Sequence, residues 1–359
     1  MEVGILGLPG VGKTCIFNAL TGGKGVTNVP GKPNIGMAPV PDDRLKQINA
    51  FIETQRIVPA TIKFVDVAGV AKGSGSGDGL GGKFLAFIRE ADAVLEVVRC
   101  FDDPNVPHVE PTIDPVRDVE TIQLELVMAD LETLTKNLDK QRKYARTGDK
   151  EAVLAVELFE KTVIPNLERG VTIRAMGLKP EQMKIVKILG LLSDKKVLYI
   201  ANVGEDDIDG KGPHATKLRE HVAKTGGAVV PVCAKLESEL AELPAEDRLA
   251  MLKDLGMHEP ALNAVAREAY NLLGLHSFFT VGPDEIRAWT IPVGATAPQA
   301  AGAIHTDFEK GFIRAEVYHF KDLMEYKTEA AVKQHGKTRA EGKSYVFQDG
   351  DITHFLFNK

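Results

Sequence analysis

Short, almost wholly apolar runs alternate with glycine-rich turns and amphipathic stretches through most of the chain. Five runs have the pattern of buried strands: residues 3–7, 61–65, 93–98, 197–201 and 228–232. Strands that are apolar on both faces are typical of a parallel sheet covered by helices on each side. The pattern therefore predicts an α/β domain with a mostly parallel sheet.

Between residues 119 and 194 this series of strands is interrupted by a segment with helical periodicity. Apolar residues recur at spacings near three and four in residues 121–139 and again in residues 151–167, which predicts two amphipathic helices. We interpret residues 119–194 as a helical hairpin inserted into the α/β domain. Its basic stretch, Lys140, Arg142, Lys143 and Arg146, is either a solvated helix face or a contact for RNA.

The pattern of apolar and polar residues changes again after a predicted helix at residues 261–273. Short β-like runs at residues 288–291, 313–318, 345–347 and 355–357 alternate with turns, and predict a small α+β domain. The expected layout has three parts. Residues 1–118 and 195–277 form the first domain, residues 119–194 form the inserted hairpin, and residues 278–359 form the last domain.

Composition narrows the class of protein without identifying it. The 359 residues are 44% hydrophobic and 26% charged, with a formal net charge of −6, as in a soluble globular protein. No apolar run approaches the ~18 residues of a membrane helix, and the first residues lack the basic region of a secretory signal. Cys15, Cys100 and Cys233 form no CxxC pair. We therefore expect a cytoplasmic monomer with no membrane partner, whose charge still allows a local basic face.

The first turn after the first predicted strand carries a phosphate-binding motif. Residues 7–14 read Gly-Leu-Pro-Gly-Val-Gly-Lys-Thr and match G-x-x-x-x-G-K-[ST] between a strand and a helix. Glycine backbone N–H groups and the helix N-terminus suit a phosphate. We expect Lys13 to reach the β- and γ-phosphates as a catalytic cation, and Thr14 to bind Mg²⁺. The predicted nucleotide contacts in this segment are Gly10, Val11, Gly12, Lys13, Thr14 and Cys15.

A second motif, D-x-x-G, ends the predicted strand at residues 61–65. Asp66 is expected to hold Mg²⁺ through a water molecule, and the Gly69 N–H to sense the γ-phosphate. The glycine-rich residues 73–82 are either a mobile switch, which we favour, or an inert linker. Val70 stands where many regulatory GTPases have the glutamine that orients water. Another group must then position the water, and slow turnover is expected.

A third motif, at residues 202–205, concerns the base. Guanine-specific proteins have N-K-x-D after this strand, whereas this chain has Asn-Val-Gly-Glu. Val203 replaces the lysine, and the extra methylene of Glu205 displaces the carboxylate that would accept from guanine. Guanine selectivity is thereby lost, and ATP becomes acceptable. The predicted contacts near the base are Asn202, Val203, Glu205, Cys233 and Ala234.

Together, the motifs resemble those of the YchF/Obg-like ATPase family. The matching segments are residues 7–13, 64–69, 97–101, 201–205, 287–302, 304–315 and 355–358. The resemblance implies a P-loop NTPase domain, an inserted α-helical hairpin and a C-terminal TGS domain of β-grasp type. It also implies Mg²⁺-dependent ATP hydrolysis with GTP as a secondary substrate, and association with the ribosome or its RNA. It assigns to His108 the orientation of the attacking water; by itself, the sequence describes an ordinary loop histidine.

The sequence departs from the family at two places, and it also leaves three alternative functions open. Gly10 stands where family members usually have asparagine, and residues 28–36 are shorter than usual and lack the threonine of switch I. If this segment is truly short, nucleotide-driven ordering of switch I is in question. The other functions are a GTPase switch, a small-molecule kinase, and an RNA- or protein-binding adaptor that the nucleotide only stabilises.

Overall fold

The computed structural model describes residues 1–23, 33–66 and 82–358. These residues form two compact units, Met1–Gly36 with Lys63–Val265 and Met37–Ile62 with Ala266–Lys359. The second unit thus takes in residues 37–62, which the sequence pattern does not connect with the C-terminal region. The three-part division predicted from the sequence stays a prediction. No helix in the described ranges is both long and apolar enough to cross a membrane.

The strands and helices of the described residues are numbered in chain order. The strands are β1 (Glu2–Leu6), β2 (Asn34–Pro39), β3 (Ile57–Val58), β4 (Thr61–Asp66), β5 (Ala93–Arg99), β6 (Lys196–Asn202), β7 (Ala228–Val232), β8 (Leu275–Thr280), β9 (Ile286–Pro292), β10 (Phe312–His319), β11 (Arg339–Glu341) and β12 (Asp351–Phe357). The α-helices are α1 (Lys13–Thr21), α2 (Asp43–Asn49), α3 (Gly82–Glu90), α4 (Pro115–Arg146), α5 (Lys150–Leu158), α6 (Ile164–Leu167), α7 (Pro180–Lys187), α8 (Pro213–Ala223), α9 (Ala234–Glu242), α10 (Ala245–Asp254), α11 (Ala261–Leu272), α12 (Ala297–Ile304), α13 (Thr306–Lys310), α14 (Phe320–Tyr326) and α15 (Glu329–Gln334).

A sheet in the order β2-β4-β1-β5-β6-β7 is the frame of the first unit. Strand β1 pairs in parallel with β4 and β5, β5 with β6, and β6 with β7. All five strands predicted from apolar runs are present, and β5 is buried along its whole length. The prediction of an α/β domain with a parallel sheet is confirmed. The carboxyl ends of these strands lie at one edge, which is where such sheets bind ligands.

Helices fill the interval between β5 and β6, as predicted. Helix α4 begins with Pro115 after Asp114, whose carboxylate accepts from the first-turn N–H groups. The second predicted helix is present as α5, a π-helical turn (Phe159–Val163) and α6. Asp130, buried on α4, accepts from the backbone N–H groups of Leu192 and Ser193 at 2.7 and 2.8 Å. This carboxylate therefore ties the end of the helical segment back to its first helix.

The second unit combines a sheet in the order β11-β10-β12-β8-β9-β3 with helices, so the predicted α+β character is confirmed. Its core includes Phe278, Phe312 and Phe347. The prediction of a strand at residues 345–347 is wrong, because Val346 makes only an isolated bridge with Thr296. Phe347 is nevertheless buried in the core. Strand β8 was not predicted, since only a short turn separates it from α11.

Candidate nucleotide-binding site

The phosphate loop between β1 and α1 depends on glycine at specific positions. Gly7 has φ 147° and Gly12 has φ 97°, in the region that favours glycine. An added Cβ would lie 2.5 Å from Val97 O at Gly7, and 2.5 Å from Asn202 Nδ2 at Gly12. Gly12 caps α1 without a side-chain hydrogen bond, and the first turn of the helix has no acidic residue. The helix N-terminus therefore presents its N–H groups and dipole to an anion.

Lys13 is held inside this loop. Its ammonium donates to Gly7 O at 2.9 Å and to Leu8 O at 2.7 Å. Burial lowers the pKa of Lys13 to about 8, and the nearby charge of Asp66 opposes this shift. The side chain is thus a buried cation bonded to carbonyls of the loop that would surround the phosphates.

Thr14 and Asp66 meet beside the lysine. Thr14 Oγ1 donates to Asp66 Oδ2 at 3.1 Å, and Asn34 Nδ2 donates to the same oxygen at 3.4 Å. Asp66 is 1% exposed, and its Oδ1 has no hydrogen-bond partner in the described part of the chain. A hydroxyl and a buried carboxylate with an unused oxygen fit Mg²⁺, which takes few protein ligands and is completed by water and phosphates. Within the described ranges no group of three or more His, Cys, Asp or Glu side chains forms a full metal cage.

Asn34 is not among the site residues predicted from the sequence. The available signal was its place in Pro-Asn-Ile-Gly, at the end of the short segment at residues 28–36. Gly69, Val70, most of the glycine-rich residues 73–82 and the first part of residues 28–36 lie outside the described residues. Their predicted roles stay predictions.

Asn202, at the end of β6, joins two loops. Its Nδ2 donates to Val11 O at 2.8 Å, and its Oδ1 accepts from the Ala234 backbone N–H at 3.0 Å. The residue is 3% exposed. Both polar atoms of the side chain therefore connect the phosphate loop to the start of α9, and a contact with the base stays a prediction.

The other residues predicted near the base differ in accessibility. Val203 and Cys233 are buried in the hydrophobic core, and burial raises the pKa of the Cys233 thiol. Any contact they make with a base is therefore through the backbone. Glu205 is exposed, and its Oε2 accepts from Lys235 Nζ at 2.8 Å. The carboxylate of the altered motif thus has a cationic partner from α9.

The His108 loop lies against the phosphate loop. A Cβ added to Gly10 would be 2.8 Å from Pro107 O, so these two loops are in contact. The imidazole is buried and its Nε2 lies 3.0 Å from Asp118 Oδ2 on α4. Its Nδ1 accepts from the Glu110 backbone N–H at 3.1 Å. The structure thus brings the loop to the predicted site while the ring contacts α4, and Asp118 is a neighbour that the sequence analysis did not identify.

A parallel α/β sheet, a glycine phosphate loop with a buried lysine, and a Thr–Asp pair suited to Mg²⁺ define a P-loop nucleoside triphosphatase. Residues 2–132 match the family model described as a 50S ribosome-binding GTPase. Residues 275–358 match the YchF-GTPase C-terminal model, described as a protein of unknown function (DUF933). The chain belongs to the YchF family, as its relatives show.

The relatives span the whole chain. It is 48% identical over 361 residues to the ribosome-binding ATPase YchF of Haemophilus influenzae, covering 99% of each chain. It is 45% identical over 364 residues to the ribosome-binding ATPase YchF of Bacillus subtilis, covering 100% of this chain and 99% of that one. The structure of the Schizosaccharomyces pombe YchF GTPase superimposes with a TM-score of 0.87 at 35% identity, covering 99% of this chain and 97% of that chain.

Proposed function

We propose that this protein is a ribosome-associated, Mg²⁺-dependent ATPase that acts as a slow nucleotide-controlled switch and takes GTP as a secondary substrate. The observation that carries the proposal is the convergence of Lys13, Thr14 and Asp66 at the N-terminus of α1. This arrangement is complementary to a triphosphate with its metal ion. The relatives from Haemophilus influenzae and Bacillus subtilis are named ribosome-binding ATPases, which supports the same proposal.

In the proposed mechanism the chain mainly positions the substrate. Backbone N–H groups from Gly10 to Cys15 bind the phosphates, and Lys13 balances their charge. Thr14, and Asp66 through water, would hold Mg²⁺, which neutralises charge on the β- and γ-phosphates when bound. The Gly69 N–H senses the γ-phosphate.

We assign the orientation of the attacking water to His108. Val70 has no polar group with which to do this. The contact of Pro107 with Gly10 supports the assignment, because the residue before His108 lies against the loop that is expected to bind the phosphates. In this proposal the imidazole leaves Asp118 and turns towards the nucleotide during turnover.

The proposed preference for ATP follows from the base motif. A guanine reader needs a free carboxylate to accept from the N1–H and the exocyclic amine of the base. The Glu205 carboxylate is paired with Lys235, and Val203 provides no polar side chain. A GTPase is the second candidate, since Asn202 is retained and the relative from Schizosaccharomyces pombe is a YchF GTPase.

Titration with each nucleotide in the presence of Mg²⁺ tests the proposal. We expect ATP to bind at least as tightly as GTP, and both to be hydrolysed slowly. A hundredfold preference for GTP would support the second candidate instead. Lys13→Ala should abolish binding or turnover, because the phosphate charge then loses its main cation. Near-parental hydrolysis by a folded Lys13→Ala variant would refute the assigned site.

For the ribosome contact we propose the C-terminal unit. Its cations include Arg287, Lys310, Arg314, Lys337, Arg339 and Lys343. Deleting residues 278–359 is a poor test, because the cut falls within β8 and removes β9, the partner of β3. Charge reversal at Lys310 and Lys343 is a better test, because both side chains are exposed.

The matched test compares two pairs of lysines. Lys310→Glu with Lys343→Glu should weaken ribosome co-sedimentation, with a smaller salt dependence than the parent, while nucleotide binding is unchanged. The control is Lys140→Glu with Lys143→Glu on α4. If only the α4 pair weakens co-sedimentation, the helical hairpin is the contact. If neither pair does, the proposed ribosome contact through these cations is wrong.

A further inference from the structure

Arg99, at the end of β5, is a buried arginine whose guanidinium is directed at the backbone of the following loop. It is 2% exposed. Its Nε donates to Phe101 O at 3.1 Å, Nη1 to Val106 O at 2.8 Å and Nη2 to Asp103 O at 3.0 Å. All three guanidinium nitrogens are therefore used to fold one short segment.

The same side chain also packs on that segment. Its guanidinium carbon lies 4.5 Å from the centre of the Phe101 ring, within the range of a cation–π contact. The segment itself has no helix or strand. Without the guanidinium, the carbonyls of Phe101, Asp103 and Val106 lose their common donor. The segment keeps local bonds from Val106 N to Asp103 O and from Asn105 N to Asp103 Oδ1, but these bonds do not connect it to β5.

The segment ends at the nucleotide site. Pro107 follows Val106 directly, and its carbonyl contacts the phosphate loop at Gly10. His108 is the next residue. The course of residues 101–106 therefore contributes to where Pro107 and His108 lie relative to the phosphate loop.

We propose that Arg99 is a positioning residue for nucleotide hydrolysis, which fixes residues 101–106 and so holds Pro107 and His108 at the phosphate loop. The proposal rests on the role proposed above for His108. Arg99 itself bonds to backbone carbonyls and acts on the reaction only through the loop. Lysine cannot replace it, because one ammonium on a flexible stem does not reproduce three donors in a planar fork.

The central experiment measures single-turnover ATP hydrolysis and nucleotide affinity for Arg99→Lys. We expect the rate to fall about tenfold, since a misplaced catalytic group loses rate steeply. Nucleotide affinity should stay within about twofold, because the phosphate loop keeps its own contacts. Arg248→Lys is the matched control, since Arg248 donates to Leu240 O and Leu243 O at 2.8 and 3.1 Å, outside the His108 loop. Parental turnover by Arg99→Lys would overturn the proposal.

Combination with His108→Ala separates positioning from a general loss of structure. If Arg99 acts through His108, then Arg99→Lys should change the rate less than twofold in the His108→Ala background. A full tenfold loss in that background overturns the proposal. His108→Ala alone tests the proposed function: a parental rate removes the role of His108, whatever Arg99→Lys does.

A second variant leaves the buried arginine in place, in case Arg99→Lys does not fold. Two glycines inserted between Pro104 and Asn105, both exposed, lengthen the segment between the anchors Asp103 and Val106, so that Arg99 can no longer hold both carbonyls at their present spacing. We expect a similar fall in rate with unchanged nucleotide affinity. Parental turnover by the folded insertion variant would show that the course of this loop does not matter to hydrolysis, and would overturn the proposal.

Discussion

Asn202 Nδ2 lies 2.8 Å from Val11 O, so a side chain at the end of β6 holds the phosphate loop by its backbone. The same amide accepts from the N–H of Ala234 through its oxygen. One buried side chain thereby connects the phosphate loop, the strand end and the N-terminus of α9. The arrangement couples the shape of the phosphate loop to the loops predicted to lie around the base.

Replacement of this amide should affect both stability and binding. Asn202→Ala leaves Val11 O and Ala234 N without their partner, at a cost of about 1–3 kcal/mol. We expect a lower melting temperature and at least a tenfold loss of nucleotide affinity, measured by calorimetric titration. Asn202→Asp, which keeps the acceptor for Ala234 but loses the donor to Val11, isolates the bond to the phosphate loop. Affinity within twofold of the parent for both variants would contradict this prediction.

A paired glycine experiment tests the packing of the phosphate loop. In Gly12→Ala the new Cβ would lie 2.5 Å from Asn202 Nδ2, at a φ of 97°. We expect this variant to lose nucleotide binding. Gly22→Ala is the control, because its φ of 62° carries a similar strain but no atom of the described residues lies within 4 Å of the new Cβ. It should cost about 1 kcal/mol and leave binding unchanged. Equal binding by the two variants would show that the close approach to Asn202 is unimportant.

Glu96 makes stability depend on pH. The side chain is buried on β5, and burial raises its pKa from 4.5 to about 8, with Arg174 opposing the shift. As the pH rises from 4.5 to about 8, the unfolded chain releases this proton while the folded chain retains it. The contribution of this group therefore favours folding at low pH and is lost as the pH rises through that window, at about 1.4 kcal/mol per pH unit.

Glu96→Gln should remove this dependence. We expect the variant to melt at a higher temperature than the parent at pH 7.5, with a difference that grows between pH 5.5 and 8. Thermal melts across that range provide the measurement. Glu120→Gln, at an exposed position of α4, is the control and should show no such trend. A difference that stays constant between pH 5.5 and 8 would mean that Glu96 is already ionised in the folded protein.

The contacts of Arg44 are expected to stabilise the second unit. Arg44 Nη2 bonds to Asp42 Oδ2 at 2.8 Å, Nη1 to Asp349 Oδ2 at 3.0 Å, and the guanidinium lies over the Phe279 ring. Arg44→Ala should destabilise this unit by about 1.5–3 kcal/mol, as expected for charged hydrogen bonds. Arg314→Ala removes a more exposed pair with Glu316 and should cost less than about 1 kcal/mol. Denaturant-induced unfolding of both variants measures the loss in the free energy of unfolding, and equal losses would contradict the prediction.

Local patterns explain why much of the fold was predictable. A strand such as β5 is apolar from end to end, and α4 repeats its apolar residues at helical spacing, so each is visible within a short window. Strand β8 was not predicted, because it follows α11 almost directly and the sequence pattern does not mark where the helix ends and the strand begins. The association of residues 37–62 with the C-terminal unit depends on pairing between β3 and β9, which are far apart in the chain.

The phosphate-binding part of the site was determined by the sequence itself, because the loop geometry depends on residues 7–14 and their glycines. The tertiary structure decided how distant side chains complete it. Only the fold shows that Asn202 holds the phosphate loop and that His108 contacts Asp118. Only the fold shows, too, that Arg99 donates to the backbone of residues 101–106. Those contacts join residues whose separation follows no local period, so burial and hydrogen-bond satisfaction in the folded chain select them.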